Sequence, residues 1–121
     1  MNFNLSKEQE LVVNLVREFT EKELKPITID NDENREFPVD AYKKMGKLGL
    51  FGLPFSKEYG GSDGDYLSYV LAVEEVSKVH ASMGIAYSVS VSLCAGGIFS
   101  SASEELKKKY LPDILSGKKF G

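Results

Sequence analysis

The sequence predicts an all-α domain of about six helices, and three observations carry that prediction. Apolar residues recur at helical spacing behind good N-cap residues in several separate stretches. Proline and glycine punctuate the boundaries of several of those stretches, at Pro26, Pro38, Gly49 and the loop holding Gly60 and Gly61. The chain of 121 residues, 42% hydrophobic and 27% charged, is the size and composition of one ordinary globular domain. It contains no internal repeat, low-complexity tract or linker.

The first element opens with Ser6-Lys7-Glu8-Gln9, a capping box in which Ser6 accepts from the Gln9 N–H while Gln9 reaches back. Val12, Leu15, Val16 and Phe19 then recur on one face, with Arg17, Glu18 and Glu21 opposite, so a helix runs to about Leu24. Pro26 disfavours helical geometry at Lys25 and ends or bends it. A short second helix is expected between Ile27 and Glu36. Pro38 suits a first turn, and Ala41, Tyr42, Met45 and Leu48 give a helix closed by Gly49. Leu50 to Phe55 reads as buried extended chain. The stretch from Glu58 to Gly64, with Gly60 and Gly61, is a loop. Asp65 caps the next helix, around which Leu67, Val70, Leu71, Glu74, Val76 and Val79 turn.

From 85 to 93 the local pattern points elsewhere. Ile85, Tyr87, Val89, Val91 and Leu93 alternate with Ala86, Ser88, Ser90 and Ser92, and strict period two argues for a half-buried strand. Gly96-Gly97 ends this element, and Ile98 to Ala102 forms a short helical link. Ser103 then caps a last helix with Glu104 and Glu105 in its first turn. Lys107, Lys108 and Lys109 load its far end, Pro112 prevents it continuing unbroken, and Ser116-Gly117 turns the chain.

Charge and composition narrow the function classes. A net charge of −3 and a pI near 5.2 argue against a nucleic-acid partner. No apolar run approaches the ~20 residues of a membrane span, and the N-terminus has neither a signal-peptide nor a transit-peptide pattern. One cysteine, Cys94, allows no internal disulfide, and a cytoplasmic location is expected.

Few side chains offer chemistry. His80 is the only histidine and is read as a helix-end residue interacting with nearby carbonyls. Cys94 is read as a packed, inert thiol, and no metal-ligand spacing is present. Tyr59-Gly60-Gly61 with Gly64 lacks the strand, helix and lysine of a phosphate cradle and is assigned to backbone geometry. Glu74 and Glu75, adjacent on a helix, point about 100° apart; one faces solvent or a basic partner and the other the core.

The order of four stretches nevertheless resembles the N-terminal helical domain of acyl-CoA dehydrogenases, short-chain (butyryl-CoA) members most of all. They are Phe51-Gly52-Leu53-Pro54 with Tyr59-Gly60-Gly61, then Ala72-Val73-Glu74-Glu75, then Ser90 to Ala95, then SEELKKKYLPDILSGKKFG from Ser103 to Gly121. The resemblance implies that 1–121 is that domain, with the β and C-terminal helical domains absent from this chain. It also implies a helix rather than a strand over Ser82 to Ala95, and a helix accounts for the small residues there, since serines can bond back to the previous turn and let neighbouring helices approach. It implies an FAD-dependent oxidoreductase acting on an acyl-CoA, donating electrons to electron-transfer flavoprotein, and a homotetramer at full length. Catalytic and flavin-binding residues are expected outside this chain, leaving this piece inactive by itself. Its implied contribution is one wall of the acyl pocket, formed by Ile85, Ala86, Val89 and Leu93. Two other readings stand beside it: a related acyl-CoA oxidase or flavin monooxygenase, and a free-standing helical interaction module. An enzyme piece should expose apolar surface; a free-standing module should be mainly polar outside.

Overall fold

Ser6 starts the first helix in the manner its chemistry dictates. Its hydroxyl accepts from the Gln9 N–H at 3.1 Å, and Gln9 Oε1 accepts from the Ser6 N–H at 2.9 Å. In the structure, a computed structural model describing residues 4–29 and 37–119, helix α1 spans Lys7–Phe19 and buries Val13, Val16 and Phe19. It loosens into a π-turn over Thr20–Leu24 and tightens into a 3-10 turn over Lys25–Ile27, with Pro26 inside that turn and helical winding resuming at Thr28 and Ile29. Most of the expected second helix, 27–36, lies outside the described residues.

Helix α2 (Val39–Lys47) buries Ala41, Tyr42 and Met45 and closes at Gly49, whose φ of 81° favours glycine. Leu50 to Phe55 is buried but not extended. It folds as successive turns, with Gly52 N–H bonding Gly49 O and Phe55 N–H bonding Gly52 O. With no strand among the described residues to pair with, buried backbone must satisfy itself locally. The loop after it packs backbone on backbone: a Cβ on Gly61 would run into the Phe55 carbonyl.

Helix α3 (Tyr66–Val79) begins at Asp65, whose carboxylate accepts from the Ser68 N–H at 2.7 Å. It packs along α1 on one side and along the following helix on the other. His80 ends α3 and starts α4 at once. Its N–H still bonds Val76 O, while its Nδ1 accepts from the Met83 N–H at 3.1 Å. The expectation that this ring would address carbonyls is thus corrected at Nδ1, which accepts and so carries no proton.

Helix α4 runs Ala81–Ser101, α-wound over Ala81–Ser88, π-wound over Val89–Ala95, and α-wound again over Gly96–Ser101. The helix implied by the resemblance is present, and the alternation does not make a strand. Gly96-Gly97, expected to end it, continues it, with Gly96 in ordinary helical geometry at φ −61°. A glycine costs a helix only about 1 kcal/mol, which packing against neighbouring elements outweighs. This helix, 21 residues with a mean hydropathy of 1.5, is long and apolar enough to cross a membrane, which the sequence reading had excluded. One third of its most apolar window is buried in the domain, and its core face meets the other helices.

Helix α5 (Glu104–Leu115) is capped by Ser103 and contains Pro112 without breaking. The three lysines therefore sit mid-helix, and its last turn holds no basic residue. Gly117, at φ 84°, makes the expected turn. Among the described residues there are thus five long helices, around a core holding Val16, Met45, Phe51, Tyr87, Val91 and Leu111.

Candidate functional site

Along α4 the core takes Met83, Tyr87, Val91 and Ala95. The opposite side carries the residues singled out for the acyl wall. Ile85 is 67% exposed, Val89 41% and Leu93 71%. Ala86 lies at the edge of the stripe, partly buried against the core. Three of the four therefore share one bare apolar face, spaced a turn apart. Exposed single hydrophobics are ordinary, but a row of three on one uncharged helix is a surface suited to being covered.

Sequence reasoning missed further exposed apolar surface on α3, of which Tyr66 reaches that face. Tyr66, Leu67 and Val70 on α3 are also exposed, at 59%, 48% and 44%. Their signal was available: α3 carries apolar residues on more of its circumference than one buried stripe needs. The Tyr66 hydroxyl comes within 3.4 Å of Ser92 Oγ, beside Leu93. A recess of about 170 Å³ lies one helix face away, lined by Pro54, Phe55, Tyr66, Val91, Ser92 and Phe99. A larger groove of about 330 Å³ lies between α1 and α2, with Leu15, Phe19 and Leu48 beneath Lys22, Lys44 and Glu23.

The titratable groups are committed to structure. Glu75 is buried, and Arg17 donates to both its oxygens at 3.1 Å from Nε and Nη2, tying α1 to α3. Burial pushes the Glu75 carboxyl up, but the bonds from Arg17 and Lys78 outweigh it and leave it below its ordinary value. A carboxylate held low in an ion pair is a poor proton acceptor. Glu74 faces solvent and pairs with Lys78 at 3.3 Å, the division expected of the two adjacent glutamates. Cys94 is half-buried against the core. Among the described residues no group of three or more His, Cys, Asp or Glu side chains converges on a metal position.

Nor do these residues fit a flavin pyrophosphate. The N–H groups of Gly61 and Gly64 are spent on Ser56 O and Leu53 O, and backbone fills the space a cradle would leave. What the site offers is shape and apolar contact.

The chain is 53% identical over its whole length to the short-chain specific acyl-CoA dehydrogenase of Clostridium acetobutylicum, covering 32% of that protein. Its fold matches butyryl-CoA dehydrogenase from Megasphaera elsdenii with a TM-score of 0.94 at 37% identity, over 100% of this chain and 32% of the other. It also matches, with a TM-score of 0.97 at 43% identity, a chain in a structure described as the electron transferring flavoprotein of Acidaminococcus fermentans, again covering 100% and 32%. The chain thus spans about a third of the length of these relatives. The family model for the acyl-CoA dehydrogenase N-terminal domain matches residues 6–118, and with the five-helix fold now described, the chain belongs to that family.

Proposed function

We propose that this domain supplies one wall of the acyl pocket in an FAD-dependent, short-chain acyl-CoA dehydrogenase located in the cytoplasm. The observation that carries the reading is the bare stripe of Ile85, Val89 and Leu93 on α4, with Ala86 at its edge. The complete enzyme removes hydrogens from the α and β carbons of an acyl-CoA thioester. Bound FAD supplies the hydride-accepting chemistry, and the flavin contacts and the base belong to parts of the enzyme beyond these residues. Electrons pass onward to electron-transfer flavoprotein, a partner that the likeness to the Acidaminococcus fermentans structure supports. The same reading makes the full-length protein a homotetramer.

The stripe works by excluded volume and apolar contact, each buried methylene contributing about 0.8 kcal/mol. Discrimination between adjacent chain lengths through such a wall is modest unless the pocket bottom is blocked. Val89→Gly in the complete enzyme is expected to shift preference toward longer chains. Relative kcat/KM for butyryl-, hexanoyl- and octanoyl-CoA measures it, and unchanged ratios sink the pocket assignment.

A further inference from the structure

A helix lets serines bond back to the preceding turn, but the hydroxyls of Ser90 and Ser92 on α4 have partners on other elements. Tyrosine hydroxyls from two other helices meet them instead. Tyr42 on α2 brings its hydroxyl within 2.6 Å of Ser90 Oγ, and both residues are buried. Tyr69 on α3 brings its hydroxyl within 2.8 Å of Ser92 Oγ and donates to Ser88 O at 3.4 Å. Both tyrosine rings are fixed in turn, Tyr42 against Phe51 and Tyr69 edge-on to Tyr87.

The contacts to Ser90 and Ser92 fall on the π-wound segment Val89–Ala95, and Ser88 is the residue that leads into it. A π-turn bonds i to i+5, is rare, and recurs at functional sites. Residues 88 and 92 lie on the side of that turn facing α3, and residue 90 on the side facing α2. Val89 and Leu93 are left pointing outward between the two grips. The period-two pattern that reads as a strand is therefore the imprint of a helix gripped from two sides.

We propose that Tyr42–Ser90 and Tyr69–Ser92 form a clamp that holds the π-turn and so sets how far Val89 and Leu93 project into the acyl pocket. Ser90 and Tyr42 are then positioning residues for chain-length specificity, although neither belongs to the exposed stripe. This inference rests on the pocket reading above.

The test uses the complete enzyme and the kcat/KM ratio of hexanoyl- to butyryl-CoA. Tyr42→Phe keeps the ring and removes only the hydroxyl, so folding is retained. It is expected to change the ratio by about threefold, the effect of one lost hydrogen bond transmitted to a pocket wall. Ser90→Ala should give the same change, and the double variant no more than either single one, since both remove one bond. Ser90→Thr, which keeps a hydroxyl, should restore the ratio. Faster amide exchange over Val89–Ala95 in Tyr42→Phe is the accompanying structural readout. Val89→Gly runs alongside as the control. If Val89→Gly shifts the ratio and Tyr42→Phe does not, the clamp alone is overturned. If Val89→Gly is also silent, the pocket reading falls and the clamp's role with it. A uniform loss of kcat/KM for both substrates in Tyr42→Phe likewise overturns positioning in favour of general stability.

Discussion

Tyr59 and Glu104 meet at 2.5 Å across 45 residues of sequence, joining the glycine loop to the first turn of α5. The bond to Glu104 pushes the Tyr59 hydroxyl up to about 12, and the same bond holds the Glu104 carboxyl below its ordinary value. The sign on the alkaline side follows from a raised pKa. The contribution is complete below the unfolded value of 10.0 and is lost as pH rises toward about 12. On the acid side the pKa is depressed. The contribution is present above the unfolded value of 4.5 and is lost as pH falls through the lowered one. Tyr59→Phe should therefore lower the thermal midpoint at neutral pH, with the gap to wild type closing at both extremes. A gap independent of pH in melting curves would mean that lost packing, not the charged bond, is responsible. At this scale Ser6, Asp65 and Ser103 were legible as caps because each bonds an N–H three residues away. Tyr42–Ser90 and Arg17–Glu75 were not, because their partners lie 48 and 58 residues off.

Helix α5 shows how an element can defeat a local rule. A proline inside a helix costs about 3 kcal/mol through its missing N–H and its clash with the preceding turn. Burying Leu111, Ile114 and Leu115 contributes about 1.5–3 kcal/mol each, so the helix continues through Pro112. Pro112 and Lys108, the residue whose carbonyl loses its donor, are both exposed, so water is at hand for the orphaned group. Pro112→Ala should consequently stabilise the protein by about 1 kcal/mol, the helix gain being partly offset by a more flexible unfolded chain. Chemical denaturation would measure it, and a loss of stability would mean that the ring itself contributes packing. For α4 the missing information was different in kind. Its serines alternate as in a strand, and only the presence of Tyr42 and Tyr69 shows why a helix carries them there.

The whole molecule is a small core with one side of α4 and the start of α3 left bare. Ile85, Val89 and Leu93 expose apolar surface that water does not favour, and Tyr66, Leu67 and Val70 add to it. The 121-residue chain alone is expected to self-associate as its concentration rises, and the Ile85→Ser, Leu93→Ser double variant to reduce that association. Sedimentation velocity over a concentration series would show it. A wild-type chain that stays monomeric throughout would favour the free-standing interaction module instead.

Periodicity and caps were enough to place α1, α2, α3 and the start of α5, because those signals act within a turn or two of chain. Family resemblance was needed for α4, where the local pattern pointed to the wrong element. Which leucines and valines face water, how the π-turn is held, and why Gly96 and Pro112 are tolerated all came from long-range packing. Contacts between residues dozens of positions apart carry the free energy that overrides local propensity, and nothing in a short window of sequence records them.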